Sequence, residues 1–181
     1  MWGVVYALAV AALVVRFRSS DALPPEPPRP LDGDPLWLTR LHHGLLIAVL
    51  VGAPLERLFV PGVAQGRALG AALLWSGVLL YRLAGRDLGD ALSPYTEPRE
   101  GVGLVTHGLY RHLRHPMYVS QALIAVGAPL TLGSRRVLTV AVSTLLVLLV
   151  RVVCEEEALA RTFPEYARYA ARTKRILPFL Y

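Results

Sequence analysis

Five apolar stretches without Asp, Glu, Lys or Arg alternate with polar segments along the chain. Each stretch is somewhat shorter than the roughly 20 residues that a helix needs to cross a bilayer. Arginines flank them, however, and the long arginine stem can reach from the hydrocarbon to the interface. The pattern therefore predicts an all-α, polytopic membrane protein with about five transmembrane helices: Met1–Val15, Leu41–Leu55, Ala68–Tyr81, Met117–Ser134 and Val137–Val150.

The segments between these stretches differ in kind. Residues 19–35, "SSDALPPEPPRPLDGDP", are rich in proline and are expected to form an extended linker. Pro54 and Pro61 disfavour one long continuous helix in the second span. Residues 83–109 contain several glycines and prolines and are predicted to be irregular. A loop of that length in a small membrane protein is usually functional or disordered.

Proline and glycine also mark the ends of the last two spans. Pro116 suits the first turn of the fourth helix, where its missing N–H would have no partner. "GSRR" at residues 133–136 is predicted to form a tight turn, so that the fourth and fifth spans are antiparallel neighbours. Pro164 is expected to break or kink the fifth helix, which otherwise continues beyond the membrane.

The distribution of basic residues predicts the orientation of the chain in the membrane. Hydrophobic residues make up 54% of the chain and the mean hydropathy is +0.45, as expected for an integral membrane protein. Because Lys and Arg accumulate in cytoplasmic loops, the carboxyl terminus is predicted to be cytoplasmic and the amino terminus external, in the plasma membrane. Only four of the 19 Lys and Arg residues fall on the external side: Arg57, Arg67, Arg135 and Arg136.

Several classes of function are excluded by composition. The net charge of +6 is explained by this topology and by attraction to membrane lipids, so no nucleic-acid partner is predicted. The single Cys154 excludes an internal disulfide and a thiolate metal cage. Five histidines are too few for a di-iron desaturase, and no metal is predicted. His42 and His43 are interpreted as interfacial residues, and His107 and His112 as solvated loop residues.

Two charged clusters are predicted to meet at the cytoplasmic surface. "RHPMY" enters the fourth span at residues 114–118, and "RVVCEEE" leaves the fifth at residues 151–157. Arg151 and Glu155 are four residues apart and share a helix face, and spacing alone favours an interfacial salt bridge between them. Ionisable groups near hydrocarbon are costly unless paired, which makes both clusters candidates for function. A carboxylate there can bind a ribose hydroxyl or an ammonium, and an arginine can hold an anionic substrate.

The two clusters belong to longer motifs, "LVTHGLYRHLRHPMY" and "EEEALARTFPEYARYAARTKRILP". In this order and separation they resemble the isoprenylcysteine carboxyl methyltransferase and phospholipid methyltransferase superfamily, over about Leu88 to Pro178. The resemblance implies S-adenosyl-L-methionine as methyl donor, S-adenosyl-L-homocysteine as product, and helical spans with a cytoplasmic cofactor-binding cap. It implies a single membrane domain, 1–181, in which residues 1–82 hold three spans and the linker and residues 83–181 form the methyltransferase core.

The resemblance also assigns roles to individual residues. It implies that Arg151 reaches the methyl acceptor and acts with Glu155 in catalysis. Val102 stands where some relatives have histidine, so only its backbone is expected to contact the cofactor. Tyr95 stands where some members have a further cofactor contact. Cofactor contacts are implied at Val102, Gly103, Leu104, Val105, Tyr110, His115, Pro116, Met117, Tyr118, Glu155 and Glu156.

The implied reaction is an in-line transfer of a methyl group from a sulfonium to a lipophilic acceptor. A carboxylate acceptor needs no general base, whereas an amine or thiol must lose a proton, and the sequence identifies no base. Membrane lipids are the expected surroundings of the acceptor. Two alternatives stay open: a membrane-embedded NADPH-dependent reductase of lipids or sterols, and a non-enzymatic membrane scaffold.

Overall fold

The computed structural model describes residues 1–19 and 36–176, so the proline-rich linker predicted at residues 19–35 lies outside it except for Ser19. The described residues form helices and no strand, which confirms the all-α prediction. The α-helices are α1 Trp2–Ser19, α2 Leu36–Phe59, α3 Arg67–Leu88, α4 Pro116–Leu132, α5 Arg135–Thr162 and α6 Tyr166–Ala170, with short 3₁₀ turns at Gly89–Ala91 and Gly108–Arg111.

Each of the five predicted spans lies within a helix, apart from a residue or two at the ends. Three helices are long and apolar enough to cross a membrane: α2, α5, and α3 together with the 3₁₀ turn that follows it. The apolar parts of α1 and α4 are shorter, at Trp2–Val15 and Pro116–Leu132. The structure thus supports three spans by length and composition, and spans at α1 and α4 stay predictions.

The second helix runs unbroken through Pro54 to Phe59, so the prediction that proline would interrupt it is wrong. A proline in a helix leaves the carbonyl four residues earlier without its usual N–H partner. In this chain that carbonyl belongs to Leu50, and the hydroxyl of Tyr6 on α1 donates a hydrogen bond to it. Neighbouring helices commonly satisfy such groups in membrane proteins, and here the bond also joins α1 to α2.

The third helix is also longer than predicted. It extends to Leu88, into the segment that was expected to be irregular from residue 83, and Gly85 is buried within it. Beyond Ala91 the chain does lack regular structure until Gly108, as predicted. At the other end of the chain, α5 ends at Thr162, two residues before Pro164, and Gly133 ends α4 with a φ of 73°. Both features agree with the sequence.

The most extensive helix contact joins α3 to α4. Glycines allow the two backbones to approach closely: a Cβ atom added to Gly127 of α4 would lie 2.8 Å from the carbonyl oxygen of Gly70 and 2.9 Å from Leu74 Cα. Both of those residues are on α3. Small residues at helix contacts are typical of membrane proteins, in which close packing contributes much of the association energy. This contact fixes α4, whose first turn carries the "RHPMY" motif.

Substituting alanine for Gly127 is therefore expected to lower the thermal stability of the detergent-purified protein. The added methyl group meets backbone atoms that cannot rotate away, and such overpacking costs about 1–3 kcal/mol. Gly44→Ala on α2 is the matched control, because nothing lies within 4 Å of a Cβ atom at that position. Equal melting temperatures for the two variants would contradict the close α3–α4 contact.

The end of the bundle near the α4–α5 turn is closed by polar contacts. Ser134 donates a hydrogen bond of 2.8 Å from its hydroxyl to the carbonyl of Ala53 on α2. Glu56 accepts hydrogen bonds from the backbone N–H groups of Arg136 and Val137, at 3.3 Å and 3.2 Å, at the start of α5. A carboxylate is favourable at a helix amino terminus. The opposite end of the bundle, where α4 begins and α5 ends, holds the cavity described next.

Candidate functional site

A polar cavity lies where the start of α4 meets the end of α5. Its space, including the open mouth, is about 960 Å³. Its walls come from α2, from residues 88–105, from the 3₁₀ turn at Tyr110, and from α4 and α5. Segments distant in sequence therefore converge on one space.

Most residues that the resemblance implied as site residues line this cavity, and two do not. Pro116 is buried and occupies the first turn of α4, which it starts, while Glu156 points to the other side of α5 from the cavity wall. The lining residues from the implied set are Val102, Gly103, Leu104, Val105, Tyr110, His115, Met117, Tyr118, Arg151 and Glu155. Tyr95, a contact in some relatives, also lines the cavity.

The two charged clusters are neighbours, as predicted. The His115 ring is 2% exposed and lies between two carboxylates of α5. Its Nδ1 atom is 3.8 Å from Glu155 Oε1, and its Nε2 atom is 3.3 Å from Glu156 Oε1. Glu155 faces the cavity and is partly exposed, whereas Glu156 is largely buried. The adjacent acids thus have different surroundings because successive helix residues point in different directions.

Glu156 is the centre of an ion cluster. Its Oε1 atom accepts a hydrogen bond of 2.8 Å from Arg114 Nε, and its Oε2 atom lies 2.5 Å from Arg175 Nη2. Arg114 also donates to the carbonyls of Ala170 and Thr173, at 2.6 Å and 2.9 Å. Arg114 therefore anchors its loop to the end of α6 and the residues after it. Glu156 itself does not line the cavity, but two of its partners, Arg114 and His115, do.

The cluster holds residues 172–176, which we call the carboxyl-terminal strap, against the "RHP" segment. Backbone hydrogen bonds join them: Lys174 N donates to His112 O at 3.0 Å, and Arg114 N donates to Lys174 O at 2.8 Å. His115 N donates to Arg175 O at 3.2 Å. The strap therefore positions the residue that precedes α4, His115, whose ring lines the cavity.

Arg151 does not form the salt bridge with Glu155 that spacing favoured. Its Nη1 atom donates a hydrogen bond of 2.6 Å to Thr39 Oγ1 on α2, and its Nη2 atom donates one of 2.8 Å to Pro94 O in the cavity loop. The residue is only 2% exposed. A guanidinium offers several N–H donors in a fixed fork, so it can join two segments at once. Arg151 thereby connects α5 with α2 and with the loop.

Tyr118 contributes a ring at the centre of the cavity wall. It stacks on His115 with ring centroids 5.6 Å apart and planes inclined by 29°. The guanidinium carbon of Arg151 lies 5.8 Å from the ring centroid, a distance at which cation–π attraction operates. The ring therefore joins the α4 and α5 sides of the site.

Tyr110 and Tyr169 both line the cavity and are directly linked. The Tyr169 hydroxyl donates a hydrogen bond of 2.8 Å to the backbone carbonyl of Tyr110. Burial raises the pKa of Tyr110 above its ordinary value and raises the pKa of Tyr169 to about 12. Both hydroxyls therefore stay protonated at neutral pH, and the Tyr169 hydroxyl can act as a donor throughout that range.

The loop over the cavity is held at several points. The backbone N–H of Leu109 donates to Asp87 Oδ2 at 2.9 Å, and Arg99 donates to the carbonyl of Asp90 at 2.6 Å. Arg161 at the end of α5 pairs with the buried carboxylate of Glu97 at 3.2 Å. These contacts fix residues 88–109 although they lack regular structure, so the segment forms a defined wall.

His42 is a cavity residue that the sequence interpretation missed. It is 1% exposed and lines the cavity from α2, a role that its interpretation as an interfacial residue did not indicate. His43 lines the same wall and is partly buried. The resemblance covered only residues 88–178 and contained no signal for α2. The one available signal was the His-His pair inside an apolar stretch, where polar rings require a partner or a function.

The molecule is thus a bundle of apolar helices with a cavity at one end, whose lining includes Tyr118, Arg151 and Glu155. This cavity is a candidate small-molecule site. Residues 66–166 match the phospholipid methyltransferase family. The chain belongs to this family, within the isoprenylcysteine carboxyl methyltransferase-like superfamily of membrane methyltransferases. The superfamily recognised from the motifs is thus confirmed, and the match begins at α3, earlier than the motifs did.

Two similar proteins carry names from metal resistance. The cobalt-zinc-cadmium resistance protein CzcN of Cupriavidus metallidurans is 35% identical over 149 residues, which are 80% of this chain and 67% of that protein. The nickel-cobalt-cadmium resistance protein NccN of Alcaligenes xylosoxydans xylosoxydans is 35% identical over 162 residues, 84% of this chain and 70% of that protein. Both names describe resistance, and neither names a reaction.

Proposed function

We propose that this protein is an S-adenosyl-L-methionine-dependent methyltransferase that acts on a lipophilic acceptor. The observation that carries the proposal is the convergence of the family's motif residues on one cavity. His115 and Tyr118 from one motif face Arg151 and Glu155 from the other across that space. Family membership supplies methyl transfer as the reaction class, and the cavity supplies a place for donor and acceptor to meet.

The residues of the cavity fit such a donor. A sulfonium nucleotide has a cationic centre, an amino-acid end and a ribose with two hydroxyls. The partly exposed carboxylate of Glu155 and the buried carboxylate of Glu97 are acceptors suited to the amino group and the hydroxyls. Residues 102–105 pass along the cavity wall without side-chain charge, and a Cβ added at Gly103 would meet nothing within 4 Å. An adenine can therefore approach that backbone closely.

When bound, the donor supplies an electrophilic methyl group, and the chain's own residues bind and orient. Glu155 holds the donor at one side of the cavity. Arg151, fixed by Thr39 and Pro94, presents a positive charge to the acceptor at the other. Holding two reactants at attack distance can provide several kcal/mol of barrier reduction. Neither a metal nor a covalent enzyme intermediate is needed for such a displacement.

The arrangement in the membrane follows from the same features. Large apolar side chains such as Leu79 and Leu146, each 60% exposed, lie on the outer surfaces of the long helices. We infer five spans, counting α1 and α4, with the amino terminus outside, the cavity and carboxyl terminus cytoplasmic, and the plasma membrane as location. The chain is one domain, with 1–82 as spans and linker and 83–181 as the core. The donor enters from water and the acceptor from the bilayer.

The proposal is tested by calorimetry with S-adenosyl-L-homocysteine and detergent-purified protein. Glu155→Ala is expected to weaken binding about tenfold or more, because a hydrogen bond to a charged group contributes about 1.5–3 kcal/mol. Glu157→Ala is the matched control, since that glutamate is exposed on the same helix. If the protein is a non-enzymatic scaffold, neither the variants nor the wild type should bind S-adenosyl-L-homocysteine. A reductase predicts binding of NADPH in place of the sulfonium product.

A further inference from the structure

His42 is an unusual residue in the cavity wall because its ring has no polar partner. It is 1% exposed, and neither Nδ1 nor Nε2 has a hydrogen-bond partner among residues 1–19 and 36–176. Leaving a buried polar group without a hydrogen bond costs about 1–3 kcal/mol. The ring lines the cavity, so a ligand in the cavity is the available partner.

The ring is held in place by its neighbours. Its edge faces the ring of Tyr118, with centroids 6.5 Å apart and planes inclined by 77°. The His43 ring lies 5.1 Å away, and its own Nδ1 atom is 2.8 Å from the carbonyl of Thr39. His43 is thereby committed to its own helix, whereas His42 keeps both nitrogens available. The two adjacent histidines therefore have different roles.

Two other buried polar atoms near this wall lack partners in the described part of the chain. They are Arg151 Nε, a donor, and Gln121 Oε1, an acceptor. A neutral imidazole adds one donor and one acceptor. The wall thus offers unsatisfied acceptors as well as donors. A carboxylate only accepts hydrogen bonds, so it would leave those acceptors unpaired, whereas a ligand that carries an X–H group satisfies both kinds.

The charge of the wall restricts the acceptor further. Arg151 is a buried cation that donates hydrogen bonds to neutral oxygens of Thr39 and Pro94. An ammonium group brought to the same wall would be repelled, because like charges interact strongly where water is excluded. An acceptor that becomes an anion on losing its proton is stabilised there instead.

We propose that His42 is the general base of the methyl transfer and that the acceptor is a lipophilic thiol, an inference that rests on the proposed function. The S–H bond of the thiol breaks and its proton passes to the free nitrogen of His42. The sulfur lone pair forms the new bond to the methyl group, and the bonding pair released stays on the donor's sulfur, which becomes a neutral thioether. Arg151 stabilises the thiolate before transfer.

A thiol suits this base better than an alcohol does. The ordinary pKa of a cysteine thiol is about 8.5. A cation next to a thiol lowers its pKa further, and Arg151 lies in the same cavity wall. An aliphatic alcohol is a far weaker acid than a thiol. It would not give its proton to an imidazole to a useful extent.

The acceptor class is tested first with the wild-type protein in nanodiscs and a labelled methyl donor. Dodecanethiol, dodecanoate and dodecylamine have the same number of carbons and differ in the reacting group. We expect the thiol to be methylated at least about tenfold faster than the other two, because only the thiol both offers a hydrogen to the unpaired acceptors and becomes an anion beside Arg151. Preference for dodecanoate or dodecylamine overturns the inference and leaves the proposed function intact. Transfer to none of the three, without binding of S-adenosyl-L-homocysteine, overturns both.

The base is tested with His42→Gln, which keeps a polar side chain and cannot accept the proton. We expect kcat for dodecanethiol to fall about a hundredfold while KM and binding of S-adenosyl-L-homocysteine change little. His112→Gln is the control, because His112 is exposed and outside the cavity. An unchanged kcat in His42→Gln contradicts the assignment.

A spectroscopic measurement separates a base from a residue that merely shapes the cavity. Thiolates absorb ultraviolet light that thiols do not. Addition of dodecanethiol to the wild-type complex with S-adenosyl-L-homocysteine is expected to give a thiolate difference spectrum. The His42→Gln variant should lose this signal and the His112→Gln variant should keep it. No thiolate signal in the wild type, or an equal one in His42→Gln, excludes proton transfer to His42.

Discussion

Replacing Arg151 with glutamine is expected to lower methyl transfer by about a thousandfold, the largest effect of any single change in the cavity. The guanidinium is 2% exposed, and its two hydrogen bonds join α5 to Thr39 on α2 and to Pro94 in the loop. Glutamine removes the charge next to the acceptor and the fork that fixes the walls. Loss of a single oriented donor at a reacting centre typically costs about 10²–10³-fold, and misplacement of the reactants adds to it.

Arg151→Lys separates the two contributions. Lysine keeps the positive charge and lacks the planar fork, so it cannot make both hydrogen bonds in the same geometry. We expect a loss of about tenfold to a hundredfold, between the wild type and the glutamine variant. Turnover is measured with labelled donor, and binding of S-adenosyl-L-homocysteine by calorimetry reports whether the donor side is intact. Arg111→Gln is the control, since Arg111 is exposed outside the cavity.

Equal turnover in Arg151→Gln and Arg111→Gln would show that the charge at the α2 wall has no part in the reaction. The site would then have to be sought on the Glu155 side alone. A loss of donor binding in Arg151→Gln, equal to the loss in turnover, would instead assign the residue to the loop that covers the donor.

The helices were predictable because their signal is local. Apolar runs between arginines gave five helices, and Gly133 and Pro164 gave the ends of α4 and α5. The prediction that Pro54 would interrupt α2 was wrong because the effect of this proline depends on a residue far away in the sequence. The hydroxyl of Tyr6 donates a hydrogen bond to the Leu50 carbonyl, which the proline leaves without its N–H partner. The prediction of irregular structure from residue 83 was wrong as far as Leu88 for a related reason. Gly85 is buried against neighbouring segments, and this packing outweighs its low helix propensity.

The site was predictable on α4 and α5 and not on α2. An antiparallel pair joined by a tight turn places the start of one helix beside the end of the other, so the approach of His115 to Glu155 follows from topology. The angular position of α2 about its own axis follows from no such rule. His42 and His43 are adjacent in sequence, yet His42 is 1% exposed with free nitrogens, whereas His43 bonds to its own helix. Only three-dimensional packing distinguishes them.

The paired acids are a second case in which the sequence alone does not determine what each side chain contacts. The resemblance implied a cofactor contact at both Glu155 and Glu156, and the structure separates them into a cavity residue and the centre of an ion cluster. A helix turns by about 100° per residue, so adjacent side chains face different partners. Assigning a role to each therefore requires knowing which side of α5 faces the loop and which faces the strap.

Glu156→Gln is accordingly expected to act on stability and order rather than on a ligand contact. The side chain is 12% exposed and contacts Arg114, His115 and Arg175. Glutamine has the same shape and no charge, so two arginines lose their common anion. Breaking a buried ion pair typically costs about 3–5 kcal/mol, and we expect the melting temperature to fall by about ten degrees or more. Glu157→Gln, exposed on the adjacent position, should leave it unchanged.

Hydrogen exchange determines whether the loss of stability in Glu156→Gln begins at the strap. In Glu156→Gln the amides of Lys174, Arg114 and His115, which bond the strap to the "RHP" segment, should exchange faster than those of α2 and α3. Donor binding should weaken as well, since His115 precedes α4 and lines the cavity. Uniform acceleration throughout the chain would mean that Glu156 supports the whole bundle. Unchanged exchange at these three amides would mean that the backbone hydrogen bonds alone hold the strap. Glu156 would then be dispensable for the position of the strap.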